Sequence, residues 1–371
     1  MNTGTRDATG GIDGLDTVAY LTSRTILDLS QLPEHLVVVG GGFIGCECAQ
    51  MFRRCGSRVT IVHRADRLLP GADPDISAAA AQGFAADDIT DHTATTCTHV
   101  TGTPGHIRLG CAGAHHDDIA GTHLLIAIGR TPNCDHLGLE HLDITPNPAG
   151  YIDVDDHLRV PDTDNIWVLG DLHGGAMFTH TARYDADTVY PTTDRNEQAS
   201  IADRVVPHAV FIDPEVGSVG LAEPDARAAG DDIAIGTQTF DGVAKARAIG
   251  QTIGLIKFIV DHATDDILGC HIAGPHGGDL VHEAALAVVT GATCSDIGAM
   301  YPALLAETAP ARTWGASDSP HYCGHLPSAA ICIKDPVAVV ASGVRSADWL
   351  ASARVRRPPR VGRLRVSGMG R

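Results

Sequence analysis

Leu36-Val37-Val38-Val39 is a continuous apolar run that ends in three glycines. A stretch with helical spacing of its apolar residues follows and stops at Gly56, and residues 57–63 form a second apolar run. Short apolar runs bounded by turns predict buried strands, and the intervening period predicts a helix. Pro70-Gly71-Ala72-Asp73-Pro74 reads as a turn, and Ile76 to about Ala86 as an Ala-rich helix. From 90 to 120 polar and apolar residues alternate in short strands, and Leu124–Ile128 and Asn165–Leu169 read as further buried strands. Strands are expected at 209–212, 218–221, 254–260 and 267–272, then a helix from about Asp279 to Thr290. Beyond Pro310 the periodicity disappears.

Gly40, Gly42 and Gly45 give the first strand-to-helix turn its chemistry. They fall on the G-x-G-x-x-G spacing, where the glycines allow a tight turn, approach of a pyrophosphate and close helix packing. The helix N-terminus offers unpaired N–H groups to phosphate. At the end of the second strand the residues are Val62-His63-Arg64-Ala65-Asp66-Arg67. A carboxylate there would accept the adenosine ribose hydroxyls of NAD; its absence at 63, with Arg64 and Arg67 nearby, favours the 2′-phosphate of NADPH.

A chain of 371 residues accommodates two or three domains. A net charge of −18 argues against nucleic acid or an anionic membrane as partner, although eight arginines lie between Arg345 and the end. The N-terminus lacks the apolar segment of a secretory signal, and no run is long enough to span a membrane. Ten cysteines without C-x-x-C fit reduced thiols and a cytoplasmic location. His115-His116 beside Asp117-Asp118 read as solvated turn residues, and no metal site is expected.

Five motifs in order carry a resemblance: Gly40–Glu47, Ile126–Asn133 (IAIGRTPN), Gly170-Asp171, Met177-Phe178-Thr179-His180, and Val210–Leu221 (VFIDPEVGSVGL). From about Tyr20 to Glu307 the chain resembles the pyridine nucleotide-disulfide oxidoreductases, in particular the mercuric reductase-like and dihydrolipoamide dehydrogenase-like group. The resemblance implies an α/β NAD(P)-binding Rossmann-type domain plus an α+β interface (dimerisation) domain, acting as a homodimer. It implies a flow of hydride from NAD(P)H to FAD and on to an acceptor. Gly40, Gly41, Gly42, Phe43, Ile44, Gly45 and Glu47, with His63 and Arg64, are expected around the nicotinamide dinucleotide, and Gly129 near its nicotinamide end. Asp171 matches the acid that binds the flavin's ribityl–phosphate region, and Met177, Phe178, Thr179 and His180 the segment along the flavin ring. Asp171 also reads as a turn residue, and Met177 and Phe178 as core.

The expected organisation is a flexible leader or remnant linker at 1–28 and the NAD(P)-binding domain at 29–134. The C-terminal part of an FAD-binding domain follows at 135–204, the interface domain at 205–315, and a disordered Arg-rich tail at 316–371. Two departures from the family lead to the expectation of a truncated, impaired enzyme. Neither a first G-x-G-x-x-G nor a C-x-x-x-x-C pair is read in the chain, and the family's His-Pro-Thr-x-x-Glu is matched by Tyr301 to Glu307, with tyrosine in place of the histidine base. A shifted reading frame with a lost upstream start is one account of these departures. The alternative is a non-catalytic NAD(P)-binding and dimerisation module without flavin.

Overall fold

The first residues are built into the fold rather than forming the expected flexible leader. In the computed structural model, which describes residues 1–195, 199–230 and 232–299, strand β1 (Thr5–Asp7) pairs antiparallel with residues 130–132. The Leu169 N–H donates to the Met1 carbonyl, and Leu15 is buried. Tyr301, Glu307 and the expected tail at 316–371 lie outside the described residues.

The dinucleotide-type unit is assembled around β2 (His35–Val39). Alternate side chains of a strand point to opposite faces. Leu36 and Val38 enter one core and Val37 and Val39 another, so the continuous apolar run is explained by burial on both faces. Helix α1 (Phe43–Arg54), strand β3 (Arg58–Val62), helix α2 (Pro74–Ala86) and strand β4 (Thr90–His92) follow. The second face of β2 is covered by an antiparallel meander of β5 (Thr95–Thr103), β6 (His106–Gly113) and β7 (Ile119–Gly121). Strand β8 (His123–Ile126) completes a parallel sheet of order β4-β3-β2-β8, and β9 (Arg130–Pro132) turns away to pair with β1.

Residues 165–169 are not the expected strand: Trp167 makes one isolated bridge to Arg159, and the Leu169 amide is taken by Met1. A small core of Leu139, Ile144, Ile152, Val160, Val168 and Leu172 lies here. Helix α3 (Thr179–Arg195) then begins within the motif that resembles the flavin segment.

The remaining described residues form a five-stranded antiparallel sheet. Its elements are β10 (His208–Val210), β11 (Glu215–Gly220), α4 (Glu223–Ala229), β12 (Ile233–Thr239), α5 (Ala244–Ile249), β13 (Leu255–Asp261), β14 (Ile267–Gly274), α6 (Gly277–Thr290) and α7 (Cys294–Ala299). Strand order is β10-β11-β14-β13-β12. Helix α6 approaches so closely that a Cβ at Gly217 would fall 2.1 Å from the Gly277 carbonyl oxygen.

This sheet and the dinucleotide unit share one core, with Val210, Ile212, Val216, Leu255 and Ala273 packed among residues of α1 and α2. Polar contacts reinforce the junction. Lys257, only 3% exposed, lies 3.1 Å from Asp73, 3.1 Å from Asp75 and 2.7 Å from Glu223. Gln50 of α1 donates to the Asp213 carbonyl and accepts from the Asp213 N–H.

Candidate functional site

A cleft of about 1190 Å³ opens at the C-terminal ends of β2, β3 and β8, where ligands bind in open α/β sheets. Gly40 has φ +119°, and a Cβ there would lie 2.1 Å from the Ala127 carbonyl oxygen, so the turn closes against the strand beside it. At Gly45 a Cβ would strike the Gly40 carbonyl at 2.0 Å. Gly42 differs: a Cβ there would meet nothing within 4 Å, and no side chain caps α1 at this position. The first-turn N–H groups therefore face the cleft, with the helix dipole adding positive character.

The extra glycine at 41 has its own cause. Its N–H donates to His63 Nδ1 at 3.1 Å, and a Cβ would lie 2.9 Å from that ring. Because a backbone N–H can only donate, Nδ1 is the acceptor and the neutral ring carries its proton on Nε2. Burial, and then the Arg64 charge, pull the His63 pKa below its ordinary value. Arg64 is exposed at the cleft edge, whereas Arg67 is turned back onto the Pro70 carbonyl at 3.1 Å and Asp66.

Strand β1 links the two sides of the cleft. Arg130 Nε donates to Thr5 Oγ1 at 2.9 Å, and Thr5 Oγ1 donates to Asp171 Oδ2 at 2.7 Å. Arg130 also pairs with Asp7 at 2.9 Å. Behind Asp171, the buried carboxylate of Asp185 accepts from the Gly170 N–H at 2.8 Å and pairs with His173 and Arg204. These hydrogen bonds and charges hold the Asp185 pKa low against the burial that would raise it.

A stack of rings, of which Phe43 and Phe178 line the cleft, lies on the flavin-resembling side. Phe178 is 6.1 Å from Phe43, 5.3 Å from His180 and 5.3 Å from His208, all nearly parallel. Burial, then His271 and His180, depress the His208 pKa to about 4, so the ring is neutral at pH 7. Glu47 accepts from the Phe211 N–H at 2.9 Å; its burial raises the carboxyl pKa.

The cleft brings together most of the residues singled out from sequence: Gly40 to Ile44, Glu47, His63 and Arg64, with Gly129, Asp171, Met177 and Phe178 opposite. Gly45 lies beneath the helix, and Thr179 and His180 begin α3 outside the lining. Sequence reasoning missed Thr5, Arg130, His208 and Phe211. The donor set fits a dinucleotide phosphate at the α1 N-terminus, and Asp171 with residues 175–178 fits part of a flavin nucleotide in the same cleft.

Two layers thus define the class: a dinucleotide-binding α/β unit joined to an antiparallel interface domain. The model of the pyridine nucleotide-disulphide oxidoreductases matches residues 1–186, and that of the family's dimerisation domain matches residues 206–305. The chain belongs to the pyridine nucleotide-disulphide oxidoreductase family. It is 34% identical over 313 residues to a mercuric reductase of Streptomyces lividans, covering 84% of this chain and 63% of that protein. It is 34% identical over 279 residues to a dihydrolipoyl dehydrogenase of Halobacterium salinarum, covering 75% of this chain and 58% of the relative. The chain therefore spans roughly three-fifths of the length of these relatives. Among solved structures it resembles the HOCl-induced flavoprotein disulfide reductase RclA from Escherichia coli, with TM-score 0.77 and 29% identity over 85% of this chain and 72% of that one. No helix among the described residues is long and apolar enough to cross a membrane.

Proposed function

We propose that the chain is an FAD- and NAD(P)H-dependent oxidoreductase in which the cleft receives the nicotinamide dinucleotide on one side and the flavin on the other. The observation that carries this reading is the single cleft that joins the Gly42 end of α1 to Asp171 and Phe178. FAD, when bound, supplies the ring that accepts a hydride from reduced nicotinamide. The chain's own residues bind and orient. The α1 N-terminus holds the pyrophosphate, Asp171 accepts from the ribityl–phosphate region, and the Phe43 and Phe178 rings, which line the cleft, keep water from the reacting face.

NADPH is the favoured dinucleotide. Residue 63 is a neutral imidazole rather than a carboxylate, and Arg64 stands at the cleft edge with no hydrogen bond or ion pair among the described residues. Arg matches a phosphate with forked, permanently charged donors. The reading gives no dithiol–disulfide chemistry to Tyr301 and Glu307, since a phenol with a pKa near ~10 does not replace imidazole as a base at neutral pH. Two copies pair through 205–315. Support comes from the dimerisation-domain match and from Leu286 and Val289, which stand 64% and 67% exposed three residues apart on α6.

The test is the absorption spectrum of the purified chain, reconstituted with FAD and titrated with NADPH. A bound flavin spectrum that bleaches on NADPH addition supports the proposal. A colourless protein that still binds NADPH replaces it with the non-catalytic dinucleotide module.

A further inference from the structure

The hairpin of β5 and β6 places two cysteines, far apart in sequence, directly opposite each other. Cys97 is the cross-strand partner of Cys111. Opposed residues of an antiparallel pair point to the same face, and both thiols belong to the core behind Val37 and Val39. Cys97 is buried and lies in the wall of the cleft beside Thr95 and Thr96; Cys111 is half-buried and reaches solvent. Directly opposed Cβ atoms stand about 4.5–5.5 Å apart, and a disulfide needs about 3.5–4.5 Å. A register irregularity lies next to the pair, between Cys97 and His99, and such irregularities bend a strand and increase its twist.

We propose that Cys97 and Cys111 form a thiol–disulfide exchange site for small disulfides of the oxidised glutathione class. The more accessible partner reacts first. The Cys111 thiolate attacks one sulfur of the small disulfide, giving a mixed disulfide and releasing one thiol. The Cys97 thiolate then attacks Cys111 Sγ and expels the second thiol. Two protein thiols are oxidised to one disulfide and one small disulfide is reduced to two thiols, so protons and electrons balance. Burial raises both thiol pKa values, that of Cys97 to about 11, so the exchange accelerates as pH rises. Cys270 and Cys294, by contrast, are both buried in the interface-domain core, out of reach of such an oxidant.

The sequence makes the test direct. Cleavage at Arg67, Arg108 and Arg130 yields fragments 68–108 and 109–130, each carrying one cysteine. The reduced, folded full chain is incubated with oxidised glutathione, alkylated, digested with trypsin and weighed without reduction. The expected product is the two fragments joined, two hydrogens lighter than their sum, and lost on treatment with dithiothreitol. Cys97→Ser should trap Cys111 as a stable glutathione adduct, and Cys111→Ser should slow glutathione uptake at Cys97 at least tenfold. Two results overturn the proposal: a wild-type chain that accumulates the Cys111 adduct without joining the fragments, or joining that appears only in denaturant.

Discussion

The Gly41 amide and the His63 imidazole hold each other in one arrangement, N–H to Nδ1 at 3.1 Å, at the end of β3 where the cleft begins. The contact fixes the tautomer of His63 and leaves Arg64 as the charged residue at that edge. Under the proposed function, Arg64→Ser should lower the preference for NADPH over NADH roughly tenfold or more, because one charge-assisted phosphate contact is lost. Dissociation constants for both dinucleotides, measured by fluorescence titration, check it; an unchanged ratio would assign selectivity elsewhere.

Gly40 and Gly42 should separate folding from binding. Gly40→Ala puts a methyl against the Ala127 carbonyl at positive φ and should cost about 3 kcal/mol or more. Gly42→Ala meets open space and should cost about 1 kcal/mol at most, while weakening dinucleotide binding roughly tenfold by blocking the pyrophosphate's approach. Urea unfolding and NADPH titration of both variants distinguish the two effects.

Lys257 should be the most sensitive single position at the junction of the two domains. Lys257→Met leaves Asp73 wholly buried without its cation and should cost about 3–5 kcal/mol in urea unfolding. Burial alone would lower the lysine pKa, but hydrogen bonds to Glu223, Asp73 and Asp75 outweigh it and raise it. That stabilisation is therefore present below the ordinary lysine value of 10.5 and is lost as pH rises through the raised one. Bonds to Lys257 and Arg227 lower the Glu223 pKa, so its share is present above 4.5 and is lost on acidification.

His208 should make the fold acid-sensitive. With its pKa at about 4 in the folded chain against 6.5 ordinarily, the folded state resists protonation. Stability is full above pH 6.5 and falls as pH drops toward 4, by roughly 2–3 kcal/mol. His208→Phe keeps a ring in the stack without a titrating group, so its urea midpoint should fall less over that window than that of the parent chain.

The dinucleotide unit is legible in the sequence because its signals are local. Leu36–Val39, the glycine spacing and the Gly56 stop lie within one short stretch, and the observed strand–helix–strand follows it closely. What was missed is non-local. Thr5–Asp7 looks unstructured until Arg130–Pro132 supplies its partner, and Asn165–Leu169 looks like a strand although its neighbours leave it only one bridge. His208 gives no signal by itself. It joins the ring stack behind the cleft because β10 carries it beside Phe43 and Phe178, from two other segments. Strand β12 escaped because Gly236 separates a short apolar stretch, Ile233-Ala234-Ile235, from the polar Thr237-Gln238-Thr239.

The common core of Val210, Ile212, Val216, Leu255 and Ala273 with α1 and α2 sets the unit of cooperativity. Domain boundaries drawn at 134 or 204 separate motifs, but they cut through continuous apolar packing. Heat or denaturant should therefore melt the nucleotide fold and the interface sheet in one transition, and a strained helix α1 would be felt as readily in β11 as in the glycine turn.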